Sequence, residues 1–183
     1  MVLDLPDSES FLWQGLTAKV RNQVRKGEKH GLSIRWGGAS MVGEFYRVFC
    51  VNMRDLGAPV YSRRLFETIL KHFDDRAELA VVDYEGRAVA AALLVHAEGC
   101  TQVPSASSLR RYQGTCVNMW MYHQLLGRAI RRGAGQFDFG RSTVDSGTHR
   151  FKKQWGAEAN ATVWQYHVRY GDIGSMRPDS LRF

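Results

Sequence analysis

Gln136-Phe137-Asp138-Phe139-Gly140-Arg141-Ser142, then Thr143-Val144-Asp145-Ser146-Gly147, then Thr148-His149-Arg150-Phe151-Lys152-Lys153-Gln154-Trp155-Gly156, is the stretch on which the fold turns. It reads as strand, tight polar turn, short helix and glycine stop. The two-residue period of a strand puts Phe137 and Phe139 on one face and Asp138 and Gly140 on the other. Ser146 is placed to cap the helix and Gly156 to end it. Thr148, Phe151 and Trp155 then share one helical face at i, i+3 and i+7, which leaves Arg150, Lys152 and Lys153 toward the rim. A strand that delivers a carboxylate and a glycine to a cleft, followed by a lysine-rich helix, suits an acyl-transfer site.

Working back toward the N-terminus, the chain reads as the frame of that cleft. Val117 to Arg132 is a helix holding Met121, Tyr122, Leu125, Leu126, Ala129 and Ile130. Ahead of it runs a polar loop from Ser105 to Thr115 with Arg110 and Arg111 in it, and a strand-loop-helix arrangement of this kind favours an anion at the helix N-terminus. Leu79 to Tyr84 and Ala88 to His96 flank Glu85-Gly86-Arg87 as a hairpin, with Cys100 to Pro104 as a third antiparallel strand. His96 reads as a strand-end histidine without a partner. Met41 to Leu56 and a helix capped by Ser62, with Leu65, Phe66, Ile69, Leu70 and Phe73 inward, read as packing elements. Leu32 to Trp36 alternates as a strand. Leu12, Leu16, Val20 and Val24 recur every four residues as one helix, whose outer side carries Arg21, Arg25 and Lys29 on a single face. That basic face reads either as solvated surface or as a phosphate-binding one. Past Gly156, Thr162 to Arg169 alternates as a last strand.

The 183 residues suffice for one domain, placed at 1–170, with an irregular tail at 171–183. The formal charge of +7 directs attention to a polyanionic partner: a coenzyme phosphate, tRNA or an anionic lipid surface. Three cysteines without paired spacing read as free thiols, and no histidine stands at metal-ligand spacing from them, so no metal site is expected. The N-terminus lacks the pattern of a secretory signal, and the longest apolar run, Ala88 to Val95, is too short to span a bilayer; a cytoplasmic protein is expected.

Three segments carry a resemblance. Lys19-Val20-Arg21-Asn22-Gln23-Val24-Arg25-Lys26, the stretch Asn52 to Val60, and Phe137 to Gly140 with Phe151 to Gly156 are similar to the FemAB-type acyltransferases of the GCN5-related N-acetyltransferase (GNAT) superfamily. They look closest to the branch associated with PEP-CTERM/exosortase and exopolysaccharide loci. The resemblance implies an α/β GNAT fold: a mixed, mostly antiparallel central sheet flanked by helices, with central strands that splay to admit an acyl donor. It implies transfer of an acyl or aminoacyl group, from acyl-CoA or aminoacyl-tRNA, to an amine on a cell-envelope precursor. Fem-type proteins carry two GNAT-like domains and this sequence matches the C-terminal one, so a homodimer or a missing N-terminal GNAT domain is implied. The Arg/Gln-x-x-Gly-x-Gly/Ala pyrophosphate loop of coenzyme-A-dependent members is absent before Val117, where Arg111-Tyr112-Gln113-Gly114-Thr115-Cys116 stands instead.

Amide formation needs an unprotonated amine and a stabilised oxyanion. Lys152 matches the lysine of the family's Phe-Lys motif, which implies stabilisation of the oxyanion or the leaving group; as a sequence feature alone it is equally a solvated helix lysine. Asp138 is the candidate to orient or deprotonate the acceptor amine, with an ion pair to Arg141 or Arg150 as the structural alternative. Arg21, Arg25, Arg110, Arg111 and Arg141 are candidates for phosphate contact, Ser107 and Tyr112 for contact with donor or acceptor, and Phe151 for the cleft wall. A non-catalytic GNAT-fold module that binds a polyanion is the competing reading, and an acetyl-CoA-dependent N-acetyltransferase a third.

Overall fold

Glu85 and Gly86, at φ of 50° and 73°, form the tight turn that folds Ala77–Tyr84 (β3) back on Arg87–Ala97 (β4). Both turn residues need positive φ for the turn to match the strand twist, which is why a glycine stands there. Around this hairpin the computed structural model, which describes residues 1–161 together with His167 and Arg169, builds a six-stranded sheet. The other strands are Val2–Asp4 (β1), Ser33–Gly37 (β2), Cys100–Ser108 (β5) and Gln136–Asp138 (β6). Their order is β1-β6-β5-β4-β3-β2, and every pairing is antiparallel except β5 with β6. The expected strand at 162–169 and the tail at 171–183 lie, apart from His167 and Arg169, outside the described residues.

Each face of the sheet has its own core. On one side Val42–Leu56 (α3) and Arg63–Phe73 (α4) bury Phe45, Phe49 and Phe66 against Leu79, Val81 and Leu93. On the other, Glu9–Gly15 (α1), Ala18–Lys29 (α2) and Val117–Arg131 (α5) bury Leu12, Val20, Val24, Met121 and Leu125 against Ala80, Ala92 and Phe137, and Gly147–Lys153 (α6) adds Phe151 at the edge of this core. The alternation of β3 and β4, buried on both faces, follows from this double layer. Within α4 the inward face is narrower than expected: Phe66 and Leu70 are buried, while Leu65 and Phe73 stay largely exposed.

Two differences from the sequence reading have local causes. Residues 12–24 form two helices rather than one, although Leu12, Leu16, Val20 and Val24 are all buried. Thr17 breaks the run by capping α2, its Oγ1 accepting the Val20 N–H at 3.4 Å. Arg21 reaches back and donates to the carbonyls of Trp13, Gln14 and Leu16 at the end of α1, where only Trp13 has a backbone donor of its own, the Leu16 N–H. The second difference is β1, whose Val2 and Leu3 pair with Asp138 and Phe137. A three-residue strand carries too little periodicity to be seen in sequence.

The helices α2 and α5 meet at a glycine. A Cβ on Gly27 would lie 2.5 Å from Trp120 Cβ, inside a packed core. Gly27→Ala is therefore expected to cost about 2 kcal/mol despite alanine's better helix propensity. Gly127→Ala on α5 is the control, since its Cβ would meet side-chain ends at the surface, the Glu9 carboxylate at 2.6 Å and Arg131 Nη1 at 3.4 Å, which can shift together. Urea unfolding of both variants checks this, and equal costs would refute the close-contact account.

Candidate active site

The site forms where two neighbouring strands part. β5 and β6 run parallel but pair only through Cys100–Gln102 and Gln136–Asp138. Against its other neighbour β5 carries a bulge: Val95 faces Gln102 and Leu93 faces Ser105, so Val103 and Pro104 together oppose one residue, Leu94. Proline has no N–H to give the ladder, and a bulge is where a sheet tolerates it. The extra residue bends β5 away just as β6 ends at Asp138 and the chain turns at Gly140, φ 73°. The gap is a cleft of about 670 Å³, lined by Gln102, Pro104 and Ala106 of β5, Tyr122 of α5, Asp138 to Arg141, and Thr148 and Lys152 of α6. It adjoins a wider depression of about 810 Å³ that shares Arg141 and Thr148.

Asp138 and Lys152 thus face one cavity. Asp138 is half-buried; its Oδ1 accepts the Gly140 N–H at 2.7 Å and its Oδ2 accepts the Gln102 side-chain amide at 3.0 Å. Oδ1 also lies 3.7 Å from the Met1 ammonium, which leaves Oδ2 as the oxygen more open to a further partner. The alternative anchor Arg150 donates instead to the Asp145 carbonyl, at 2.8 Å.

Lys152 is not a rim residue. Its side chain turns inward and is only 7% exposed, while Thr148, expected inside, is exposed at the cleft mouth. The reason is backbone accounting. The loop leaving β6 presents the carbonyls of Gly140 and Arg141, and buried carbonyls need donors. Lys152 Nζ supplies both bonds, at 3.1 and 2.8 Å. An ammonium has three N–H groups, so one is left over beside the cleft. Burial pulls the Lys152 pKa below the ordinary lysine value, with the Asp138 charge opposing that fall. The α6 frame that holds it is capped as expected, Ser146 Oγ accepting the His149 N–H at 3.1 Å.

A sequence-family profile described as Acetyltransferase (GNAT) domain matches residues 16–153, which contain both strands of the cleft and Lys152. The chain belongs to the GNAT acetyltransferase family. It has the GNAT acyltransferase fold. No curated protein sequence matches it. Among solved structures it is similar to FemX, at 18% identity and a TM-score of 0.78, covering 85% of this chain and 57% of FemX. It is also similar to L-PGS from Bacillus licheniformis, at 14% identity and a TM-score of 0.61, covering 85% of this chain and 55% of that one. AAC(6')-Iy, solved with the bisubstrate analogue CoA-S-monomethyl-acetylneamine, matches at 13% identity and a TM-score of 0.55 over 76% of this chain and 99% of its own. The chain spans little more than half the length of FemX and L-PGS. At these identities the likeness establishes the fold.

Within this GNAT domain the other sequence candidates scatter. Arg141 lines the cleft. Phe151 stands behind it, edge-on to Tyr122 at 4.9 Å, and Tyr122 stacks on Phe139 at 5.6 Å. Ser107 lies in β5 rather than in a loop; it is buried on the α3 side, where its Oγ accepts from Asn52 at 3.3 Å. Arg21 closes the end of α1, and the Arg25 guanidinium lies 5.2 Å from the centre of the Trp13 ring, so both tie α2 to α1. Tyr112 stands edge-on to Tyr84 at 5.8 Å with Arg111 over its ring at 4.9 Å, and Arg110 and Arg111 line a different cavity. Gln102, Ala106 and Tyr122 were not among the site residues read from sequence. Gln102 holds Asp138 through the register of a parallel pair 36 residues apart, and no local pattern encodes that. Among the described residues no helix is long and apolar enough to cross a membrane.

Proposed function

We propose that this chain is an N-acyltransferase of the Fem/GNAT type that moves an acyl or aminoacyl group from an activated carrier to an amine of a cell-envelope or exopolysaccharide precursor. The observation that carries the reading is the gap between β5 and β6, with a carboxylate and a buried ammonium on its walls. The donor carbonyl enters the gap, and the acceptor amine attacks its carbon. The third N–H of Lys152 donates to the oxygen that gains charge, while Asp138 orients the amine and receives its proton. When the tetrahedral adduct collapses the bond to the carrier breaks, and the carrier leaves as thiol or hydroxyl with the proton that Asp138 took from the amine. Neither Lys152 nor Asp138 forms a covalent intermediate.

Both donors suit the frame in part. Cys116, at the start of α5, gives no side-chain cap, which leaves the first-turn N–H groups to a phosphate of either carrier. The loop before it is a tight 3-10 helix over Arg110–Thr115, and Cys116 takes φ 59° where a coenzyme-A-dependent loop carries glycine or alanine. The Fem-type resemblance supports aminoacyl-tRNA as donor, and either carrier would place the enzyme in the cytoplasm. Residues 1–170 act in this reading as one GNAT-like domain, whose acceptor groove is completed by a second such domain or a second copy.

The test is transfer of labelled acetyl from acetyl-CoA, and of labelled aminoacyl from aminoacyl-tRNA, to amine-bearing envelope precursors. Ala106→Leu, which fills the cleft from β5, is expected to abolish transfer and leave circular dichroism unchanged. Transfer that survives the filled cleft would place the chemistry elsewhere.

A further inference from the structure

Acyl transfer by Asp138 and Lys152 leaves Tyr122 without a task, although Tyr122 lines the same cleft. It rises from the middle of α5 into an aromatic cage. Its ring stacks on Phe139 at 5.6 Å with 13° between the planes, meets Phe151 edge-on at 4.9 Å, and lies 6.5 Å from Trp155. Only 8% of the residue is exposed, so close packing fixes the ring. The hydroxyl is different. It has no hydrogen-bond partner among the described residues, and it is not one of the sealed polar atoms that the core leaves unpaired, such as Trp155 Nε1. A phenol that is neither bonded nor sealed opens to the cavity that its ring lines.

A phenylalanine would fill this cage equally well. The phenol oxygen adds nothing to the ring packing, it is costly to desolvate, and a buried tyrosine hydroxyl usually has a partner. Since the described residues offer none, the partner is brought by what binds in the cleft. Burial pushes the Tyr122 phenol above the ordinary tyrosine value, so across the neutral range it keeps its proton and acts as a donor, not a base. Of the reacting atoms, the acceptor nitrogen must keep its lone pair free to attack, and the carbonyl oxygen is the one that gains charge. On the acyl-transfer reading, on which this assignment rests, Lys152 reaches that oxygen from α6. Tyr122 stands on α5, so the two donors belong to separate walls, one charged and one neutral. We propose that the Tyr122 hydroxyl is a second donor to the carbonyl oxygen and completes, with Lys152, an oxyanion hole made of side chains. The phenol keeps its proton throughout. Its hydrogen bond tightens as the nitrogen–carbon bond forms and relaxes when the bond to the carrier breaks.

Hydroxylamine can stand in for the acceptor amine, with acetyl-CoA and alanyl-tRNA as donors and enzyme-dependent hydroxamate as the product measured. Tyr122→Phe keeps the ring and its stacks, so its melting temperature should stay within about 2 °C of wild type. Its kcat should fall about a hundredfold with KM for the donor unchanged, the pattern of a bond made only in the transition state. Added to Lys152→Met, the same substitution should lower the residual transfer about tenfold further, because each donor makes its own bond to the oxygen. No further loss in that double variant would reduce Tyr122 to a support for Lys152 and overturn the assignment. So would a kcat within about threefold of wild type in Tyr122→Phe, a loss confined to KM, or a loss matched by the fall in folded protein. No enzyme-dependent hydroxamate from either donor would sink the acyl-transfer reading and this assignment together, whereas full transfer by Tyr122→Phe sinks the assignment alone.

Discussion

Lys152→Met is expected to lower kcat by about a hundredfold to a thousandfold, the range seen when one oxyanion donor is removed. It is also expected to cost about 2 kcal/mol of stability, because the carbonyls of Gly140 and Arg141 lose a charged donor. The second effect means that activity and folding must be measured together. Stability loss alone acts through the folded fraction, so the fall in kcat per folded molecule is the quantity that decides. The pH dependence separates the roles further. Burial holds the Lys152 pKa below the ordinary lysine value in the folded protein. As pH rises through that lowered pKa the ammonium is lost, and an oxyanion donor is lost with it, so transfer falls. Over the same alkaline window the unfolded chain binds more protons than the folded one, so this group's contribution to stability rises with pH. Activity and stability therefore move in opposite directions in wild type, and neither trend should appear in Lys152→Met. A kcat per folded molecule within about threefold of wild type would reduce Lys152 to a carbonyl cap; that factor is under 1 kcal/mol.

How much of this could be read from the chain depends on how local each feature is. The β6–turn–α6 unit was legible because its signals lie within twenty residues: Phe137 and Phe139 alternate, Ser146 caps, and Gly156 takes φ 90° at the stop. The hairpin at Glu85-Gly86 was legible for the same reason. The presence of Asp138 and Lys152 on one cleft followed from the strand-to-helix order. The direction of Lys152 did not, because the hydrophobic stripe of a seven-residue helix is set by few residues and polar demand from a neighbouring loop outweighed it. The extra residue at Val103-Pro104, which opens the cleft, is defined only against β4 and β6, and sequence periodicity places Pro104 at a strand end instead of inside one. Arg21 and Arg25 show the limit on charge reading. A basic helix face looks alike whether it meets phosphate or, as here, a carbonyl cluster and an indole ring.

His96, which looked partnerless in sequence, belongs to a buried polar cluster whose disruption should cost the molecule much of its stability. Glu78 on β3 sits 6% exposed between His96 and two arginines of the α5 end. Its Oε1 accepts from His96 Nε2 at 2.9 Å and Arg128 Nε at 2.8 Å, and its Oε2 accepts from Arg128 Nη2 at 2.7 Å. Arg132 stands 3.5 Å from Oε1, and the other ring nitrogen of His96 meets Thr101 Oγ1 at 2.9 Å. These bonds join β3, β4, β5 and α5. Burial alone would raise the Glu78 pKa, but the hydrogen bonds from His96 and Arg128, followed by the charges of Arg128 and Arg132, bring it to about 2. A folded pKa below the unfolded one stabilises above the unfolded value near 4.5, and the gain drains away as pH falls from there toward 2. Both arginines are about a third exposed, so solvent screening trims the contribution to about 2 kcal/mol. Glu78→Gln at pH 7 removes that term and leaves cations over a neutral amide, for a total loss of about 3 kcal/mol and a Tm lower by about 10 °C. At pH 3 the gap between wild type and variant should shrink by roughly 1 kcal/mol, since protonation has by then begun to do what the substitution does. Thermal melts of both proteins at the two pH values give the answer directly. A gap that stays constant between pH 7 and pH 3 would mean that the carboxylate contributes through shape and not through charge.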